Sequence, residues 1–146
     1  FAWVQREFRN LLKAREANVS VPTPLTFSNN VLVLEFIGDD GMFAPKLKDE
    51  LPKNPKDFFD KIIANVKRLR KAKLVHADLS AFNILNYNEM PVFIDFSQST
   101  TLESSRANEF LERDVRNICN FFRKLGLKLD DKKIKEQITG KKNKSN

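Results

Sequence analysis

Leu74-Val75-His76-Ala77-Asp78-Leu79-Ser80-Ala81-Phe82-Asn83-Ile84-Leu85 is the stretch from which the fold can be worked out. Asp78 and Asn83 are five residues apart, in a segment that cannot be regular helix if a strand begins at 83. Residues 83–88 and 91–96 read as the two arms of a hairpin about a short turn. Asp95 falls at the end of the second arm, twelve residues after Asn83. Hard cations such as Mg²⁺ take oxygen ligands and are commonly held by a carboxylate or two plus substrate phosphates. Asn83 and Asp95 are suited to that role. Asp78 is then free to orient an attacking hydroxyl and accept its proton. Any one of these residues alone reads equally well as a turn former; the three together point to a site. His76, two residues before Asp78, is expected to pack under the loop and hydrogen-bond its backbone rather than to catalyse.

Outward from this centre, helical spacing dominates. Residues 3–17 read as a helix on Val4, Phe8, Leu11 and Leu12. Glu7 falls about 60° from Val4, at the edge of that apolar face. Val21-Pro22-Thr23-Pro24 predicts an extended linker, and Val31-Leu32-Val33-Leu34-Glu35-Phe36-Ile37 a buried strand. Residues 41–53 read as a connecting segment. Asn54-Pro55, with Asp57 in the first turn, starts a helix that buries Phe58, Ile62, Val66 and Leu69. Its basic end, residues 67–73, suits a helix C-terminus and a solvated face. A long helix over about 105–125 carries Ala107, Phe110, Leu111, Val115, Ile118, Phe121, Phe122 and Leu125 on one face. Gly126 is a fitting stop. Asp114 lies near the centre of that apolar face, where a carboxylate must be hydrogen-bonded or paired. Cys119, nearer its edge, reads as a small buried hydrophobe. Asp130 caps a last short helix with Ile134 and Ile138, and residues 140–146 form a frayed basic tail.

The chain has 146 residues, 41% of them apolar and 31% charged, an ordinary globular balance. Lys and Arg total 26 against 19 Asp and Glu, a net +7 that favours phosphate-rich partners. One cysteine and one histidine exclude an internal disulfide framework and a multi-histidine metal centre. No apolar run reaches the roughly 18–20 residues that span a bilayer, so no membrane role is expected. The opening residues are neither a signal peptide nor a methionine start. The expected compartment is the cytoplasm, and the opening leaves two readings, a chain that is missing its true beginning and one that is not.

His76-Ala77-Asp78-Leu79-Ser80-x-x-Asn83 followed by Phe93-Ile94-Asp95-Phe96-Ser97-Gln98-Ser99 resembles the RIO atypical serine protein kinases. Ala77 and Ser97-Gln98-Ser99 favour the first-named branch of that family over the second. Glu7-Phe8-Arg9-Asn10-Leu11, Leu34-Glu35-Phe36-Ile37-Gly38 and Leu111-Glu112-Arg113-Asp114-Val115-Arg116-Asn117 are similar to further family segments, in family order. The resemblance covers about residues 3–125. It implies an α+β protein-kinase-like fold, with residues 1–37 a partial small lobe and 38–146 the mostly helical large lobe. It implies ATP with Mg²⁺ or Mn²⁺ as cofactors. Asp78 would be the catalytic aspartate, and Asn83 and Asp95 the metal ligands. Asp95 would also be a phosphate acceptor in an ATPase-like cycle. Leu34 would guard the back of the adenine pocket, Glu35 and Ile37 would meet adenine through their backbone, and Leu85 and Ile94 would line the pocket. Glu7 would be the helix glutamate that pairs with an ATP-binding lysine.

The same resemblance implies action on protein serines, or autophosphorylation, during maturation of the small ribosomal subunit, with its protein and rRNA as partners. The family carries a Gly-rich phosphate loop and a strand lysine upstream of the helix bearing Glu7. The four glycines here, at 38, 41, 126 and 140, form no such loop. Residues 1–146 alone are therefore expected to bind nucleotide weakly and to show no appreciable kinase activity. Two rivals share parts of the pattern. A small-molecule phosphotransferase of the aminoglycoside or choline kinase type has a similar Asp-x-x-x-x-Asn loop, though the Ser97-Gln98-Ser99 continuation argues against it. A catalytically incomplete, basic ribosome-binding module would explain the charge.

Overall fold

The computed structural model describes residues 2–142. Helix α1 (Ala2–Glu16) buries Val4, Leu11 and Ala14 and, on the same side, the polar Glu7 and Asn10. Asn18 ends it in a left-handed conformation, φ 63°, which asparagine visits more readily than most residues. Val19 and Val21 then enter the core.

Strands β1 (Pro24–Ser28) and β2 (Val31–Leu34) form an antiparallel hairpin about Asn29-Asn30. Here the structure corrects the sequence in three respects. Residues 25–28 are a strand, although Thr26 and Ser28 dilute its apolar pattern. The strand expected over 31–37 ends at Leu34. It is also not buried. Exposure alternates along it, with Val31 at 55% and Val33 at 42%, while Leu32 and Leu34 pack against the core. A strand buried on one face only alternates in this way; its unbroken Val/Leu run does not reveal which face is open.

Beyond Glu35-Phe36-Ile37, β3 (Gly38–Asp39) pairs with β4 (Met42–Phe43). A side chain at Gly38 would place its Cβ 2.0 Å from the carbonyl oxygen of Met42, so this tight return requires glycine. The supposed connecting segment therefore holds a strand. Its next residues also run beside the hairpin that follows: Leu47 N–H donates to Ile84 O at 2.8 Å, and Asn86 N–H to Pro45 O at 2.8 Å.

Helix α2 (Pro55–Lys71) begins as its sequence predicts, with Asn54 Oδ1 accepting the Asp57 N–H at 3.1 Å. It buries Phe58, Phe59, Ile62, Ile63, Val66 and Leu69. Strand β5 (Leu74–Val75) pairs antiparallel with β8 (Thr100–Thr101), and β6 (Ile84–Tyr87) with β7 (Met90–Phe93). The β6–β7 pair is the expected hairpin, with the first arm one residue shorter at each end and the second beginning one residue earlier, at Met90, and ending three earlier. Strand β7 stops at Phe93, Ile94 N–H still reaches Asn83 O, and Asp95-Phe96 leads on toward β8.

Helices α3 (Ala107–Lys124) and α4 (Asp131–Thr139) close the fold. Asp130 Oδ1 accepts the Lys132 and Lys133 N–H groups, as its position suggested. On α3, Ala107, Leu111, Val115, Ile118 and Phe122 are buried, whereas Phe110, Phe121 and Leu125 are half-buried. Phe122 meets Phe59 and Phe58 with ring centroids 5.4 and 6.3 Å away, which ties α3 to α2. Truncating such a residue to alanine costs about 3–5 kcal/mol. Gly140 ends α4 with φ 71°; of the expected basic tail, residues 143–146 lie outside the described residues. Among the described residues, no helix is long and apolar enough to cross a membrane.

Candidate active site

The loop from His76 to Asn83 connects β5 to β6, and α3 fixes its backbone. Asp114, 3% exposed, accepts the N–H of Ala77 at 2.9 Å and of Leu79 at 3.0 Å. Arg113, the preceding residue, donates to the carbonyl oxygen of Ala77. Both polar groups of the Ala77 backbone are thus held, at a φ of 74°. A non-glycine residue persists in this conformation only where its surroundings over-determine it. Burial pushes the Asp114 carboxyl up to about 6, against the lowering effect of its two N–H donors and of Arg113.

His76 lies beneath this loop, 1% exposed. Its Nε2 is 2.8 Å from Ile94 O, and its Nδ1 accepts the Asp78 N–H at 3.1 Å. The two contacts assign the proton to Nε2 and leave the ring neutral, and burial lowers its pKa accordingly. His76 therefore joins the Asp78 loop to the strand leading to Asp95, the structural role read from its sequence position. Neither nitrogen faces the site.

Asp78 is exposed and Asn83 half-buried. Asn83 Nδ2 donates to Asp78 O at 2.8 Å and to Asp78 Oδ2 at 3.2 Å, so the amide is oriented by the residue five positions earlier. Its Oδ1 points away from those contacts. Ile94 N–H donates to Asn83 O at 3.0 Å, which keeps the hairpin arms in register as they reach the site. Asp95 takes φ 59° and is exposed. Its Oδ1 accepts from Ser97 Oγ at 2.6 Å and Ser97 N at 3.3 Å. Asn83 Oδ1 and Asp95 Oδ2 are the oxygens these contacts leave over. That set suits Mg²⁺, a hard ion that completes its shell with water and phosphate oxygens. Among the described residues, no group of three or more His, Cys, Asp and Glu side chains is arranged to hold a metal. A site with one carboxylate and one amide depends on the substrate's phosphates for the rest.

Helix α1 docks beside Asp95. Glu7 is buried; burial first, and then the charge of Asp95, raise its pKa, while the Phe96 N–H and Arg6 oppose the shift. Among the described residues, no ion pair includes Glu7. One turn along, Asn10 Nδ2 donates to Ser99 Oγ at 3.0 Å, and Ser99 Oγ donates to Phe96 O at 2.7 Å. Asn10 and Ser99 stood within the family-like segments but received no role from the sequence. Their signal is small: an amide on the buried side of an apolar helix, one turn from Glu7.

Of the residues assigned to adenine, Ile37, Leu85 and Ile94 come together in a small apolar cluster with Ala44, Val92 and Tyr87. Leu34 does not join it and packs on the main core. The Glu35 side chain is exposed, and its Oε1 accepts from Thr23 N at 2.9 Å and Thr23 Oγ1 at 3.0 Å, which lowers its pKa. That contact ties the end of β2 to the residue preceding β1.

A carboxylate and an amide tied across five residues, a second carboxylate on the next strand's exit, and a helix glutamate behind it define a protein-kinase-like lobe. Comparison with known proteins narrows the class. The model of the RIO domain matches residues 1–135, and the chain belongs to that family. It is 44% identical over 141 residues to the RIO-type serine/threonine-protein kinase Rio1 of Methanocaldococcus jannaschii, covering 96% of this chain and 48% of the relative. It is 40% identical over 139 residues to Rio1 of Haloferax volcanii, covering 95% and 48%. The chain thus spans about half the length of these two relatives. The solved Rio2 kinase–ADP/Mg²⁺–phosphoaspartate complex from Chaetomium thermophilum superposes with a TM-score of 0.75 at 26% identity, over 92% of this chain and 43% of that one.

Proposed function

We propose that this chain supplies the catalytic lobe of an ATP-dependent serine protein kinase or ATPase. Asp78 orients the attacking hydroxyl and takes its proton. Asn83 and Asp95 hold Mg²⁺, which, when bound, draws the phosphate oxygens together and offsets their charge. Ile37, Leu85 and Ile94 offer an apolar seat for adenine, with Leu34 behind it and the Glu35 and Ile37 backbone at its edge. Glu7 and Asn10 position the segment carrying Asp95. By the family resemblance, Asp95 also accepts a phosphoryl group from ATP, with ADP as the leaving group. The Chaetomium complex, a relative crystallised with ADP, Mg²⁺ and phosphoaspartate, supports this pairing of ligand and acceptor. The family resemblance extends the proposal to maturation of the small ribosomal subunit in the cytoplasm, with the subunit's protein and rRNA as partners.

The observation that carries the proposal is the Asn83–Asp78 pairing at 2.8 and 3.2 Å, on a loop that α3 holds through Asp114. Asp78→Asn in the full-length protein is its test, with radiolabelled ATP. Transfer should fall by about 10²–10⁴-fold, the usual contribution of a positioned base. Nucleotide affinity should change little. Wild-type turnover in the variant would contradict the assignment.

A further inference from the structure

A cleft of about 1000 Å³ opens where the last turns of α1 and α2 approach β8, and it shares no residue with the site above. Lys13 and Glu16 line it from α1, Lys71 and Lys73 from the end of α2, and Thr101 and Glu103 from β8 onward. Pockets of roughly 300–1,000 Å³ hold ligands of drug size, so this one has room for more than a single ion. The three lysines are exposed and, among the described residues, enter no ion pair, although Glu16 and Glu103 line the same cleft. Residues four apart share a helix face. Arg9 therefore continues the α1 wall past Lys13, and Lys67 the α2 wall past Lys71. Both are exposed and outside the ion pairs found among the described residues. Five cations against two carboxylates leave the cleft and its lips positive.

We infer that this cleft binds the phosphate backbone of single-stranded nucleic acid, independently of base sequence. Unpaired ammonium groups on two facing walls match a chain of evenly spaced phosphates, and a concave cleft admits one strand more readily than a convex duplex. Its apolar lining is Ala17, Ala72 and Leu102, and among the described residues no aromatic ring lines the cleft. It therefore offers no stacking platform of the kind on which single-strand binders read or grip bases. Contact is left to phosphates, and its signature is salt dependence through counterion release. The inference uses none of the residues of the proposed transfer site.

Fluorescence anisotropy with labelled oligouridine and labelled oligothymidine, across a NaCl series and without nucleoside triphosphate, tests it. The loss of kinase activity in another assay cannot affect this outcome. Both probes should bind; a preference for oligouridine would identify RNA as the source, and equal binding leaves the shared backbone chemistry as the determinant. Lys13→Gln, Lys71→Gln and Lys73→Gln combined should weaken binding at least about tenfold and flatten the slope of log K against log salt by about two, close to 0.7 per lost phosphate contact. A matched triple, Lys128→Gln, Lys132→Gln and Lys133→Gln, removes the same charge from the α4 region and should change affinity less than about twofold. Glu103→Gln should tighten binding, which keeps the test open if the cleft triple fails to fold. Equal loss in the two triples would reduce the effect to net charge and overturn the inference. So would tighter binding of an oligoglutamate peptide than of either oligonucleotide, which would assign the cleft to an acidic protein.

Discussion

Asp114 shows how one side chain governs another's chemistry. It touches no substrate atom in the proposed mechanism, yet it holds both flanks of Asp78 through the Ala77 and Leu79 N–H groups. Asp114→Ala leaves two buried donors unpaired, at about 1–3 kcal/mol each. Urea unfolding should show a lower midpoint with an unchanged slope; an unmoved midpoint would mean these bonds stabilise nothing. Its titration gives a second expectation. With its carboxyl raised from 3.8 to about 6, the folded state holds a proton that the unfolded state has released. Stability from this group is thus full below about pH 4 and lost as pH rises through about 6, by about 3 kcal/mol at 1.36 kcal/mol per unit. Asp114→Asn should remove that decline from urea midpoints measured at pH 4 and pH 7. The helical wheel placed Asp114 correctly, because a carboxylate amid Leu111, Val115 and Ile118 stands out against its neighbours. Arg113 was not legible: arginines are common on helices, and the bond of this half-buried one to Ala77 O depends on the path of a distant loop.

At the scale of elements, the attachment of α1 to the segment 95–99 decides where Asp95 points. That attachment is polar, through Asn10, Ser99 and Glu7, whereas the Phe8 and Phe27 rings, 5.0 Å apart, join α1 to β1. Asn10→Ala removes a buried hydrogen bond and leaves the Ser99 hydroxyl with Phe96 O alone. It should cost about 1 kcal/mol of stability and, by loosening the Asp95 segment, raise KM for MgATP more than it lowers kcat. A loss confined to stability, with unchanged KM, would separate α1 from the site. Helices were the most legible elements. Asn54-Pro55 and Asp130 announced two helix starts through local chemistry that tertiary contacts do not override. The small sheets were less legible. β5 and β8 are two residues each and pair across the whole of residues 76–99. The open face of β1–β2 is set by what covers it, which a run such as Val31-Leu32-Val33-Leu34 does not encode.

For the whole molecule, the two proposals separate spatially by charge. The proposed transfer site uses Asp78 and Asp95, with Glu7 behind Asp95, while the cleft at the ends of α1 and α2 is lined by lysines outside the ion pairs among the described residues. Composition alone showed the +7 excess but not its placement. The order of motifs was readable because each carries its own chemistry at a fixed spacing. The gathering of Ile37, Leu85 and Ile94, and the diversion of Leu34 to the main core, follow from three-dimensional packing of segments far apart in sequence. The most direct test of the central claim is calorimetric titration of ADP into the full-length protein and its Asp95→Ala variant, each with and without Mg²⁺. Wild-type affinity should rise with Mg²⁺, and the variant should keep its metal-free affinity while losing that rise. The same Mg²⁺ dependence in both proteins would contradict the account, leaving Asp95 a turn residue braced by Ser97.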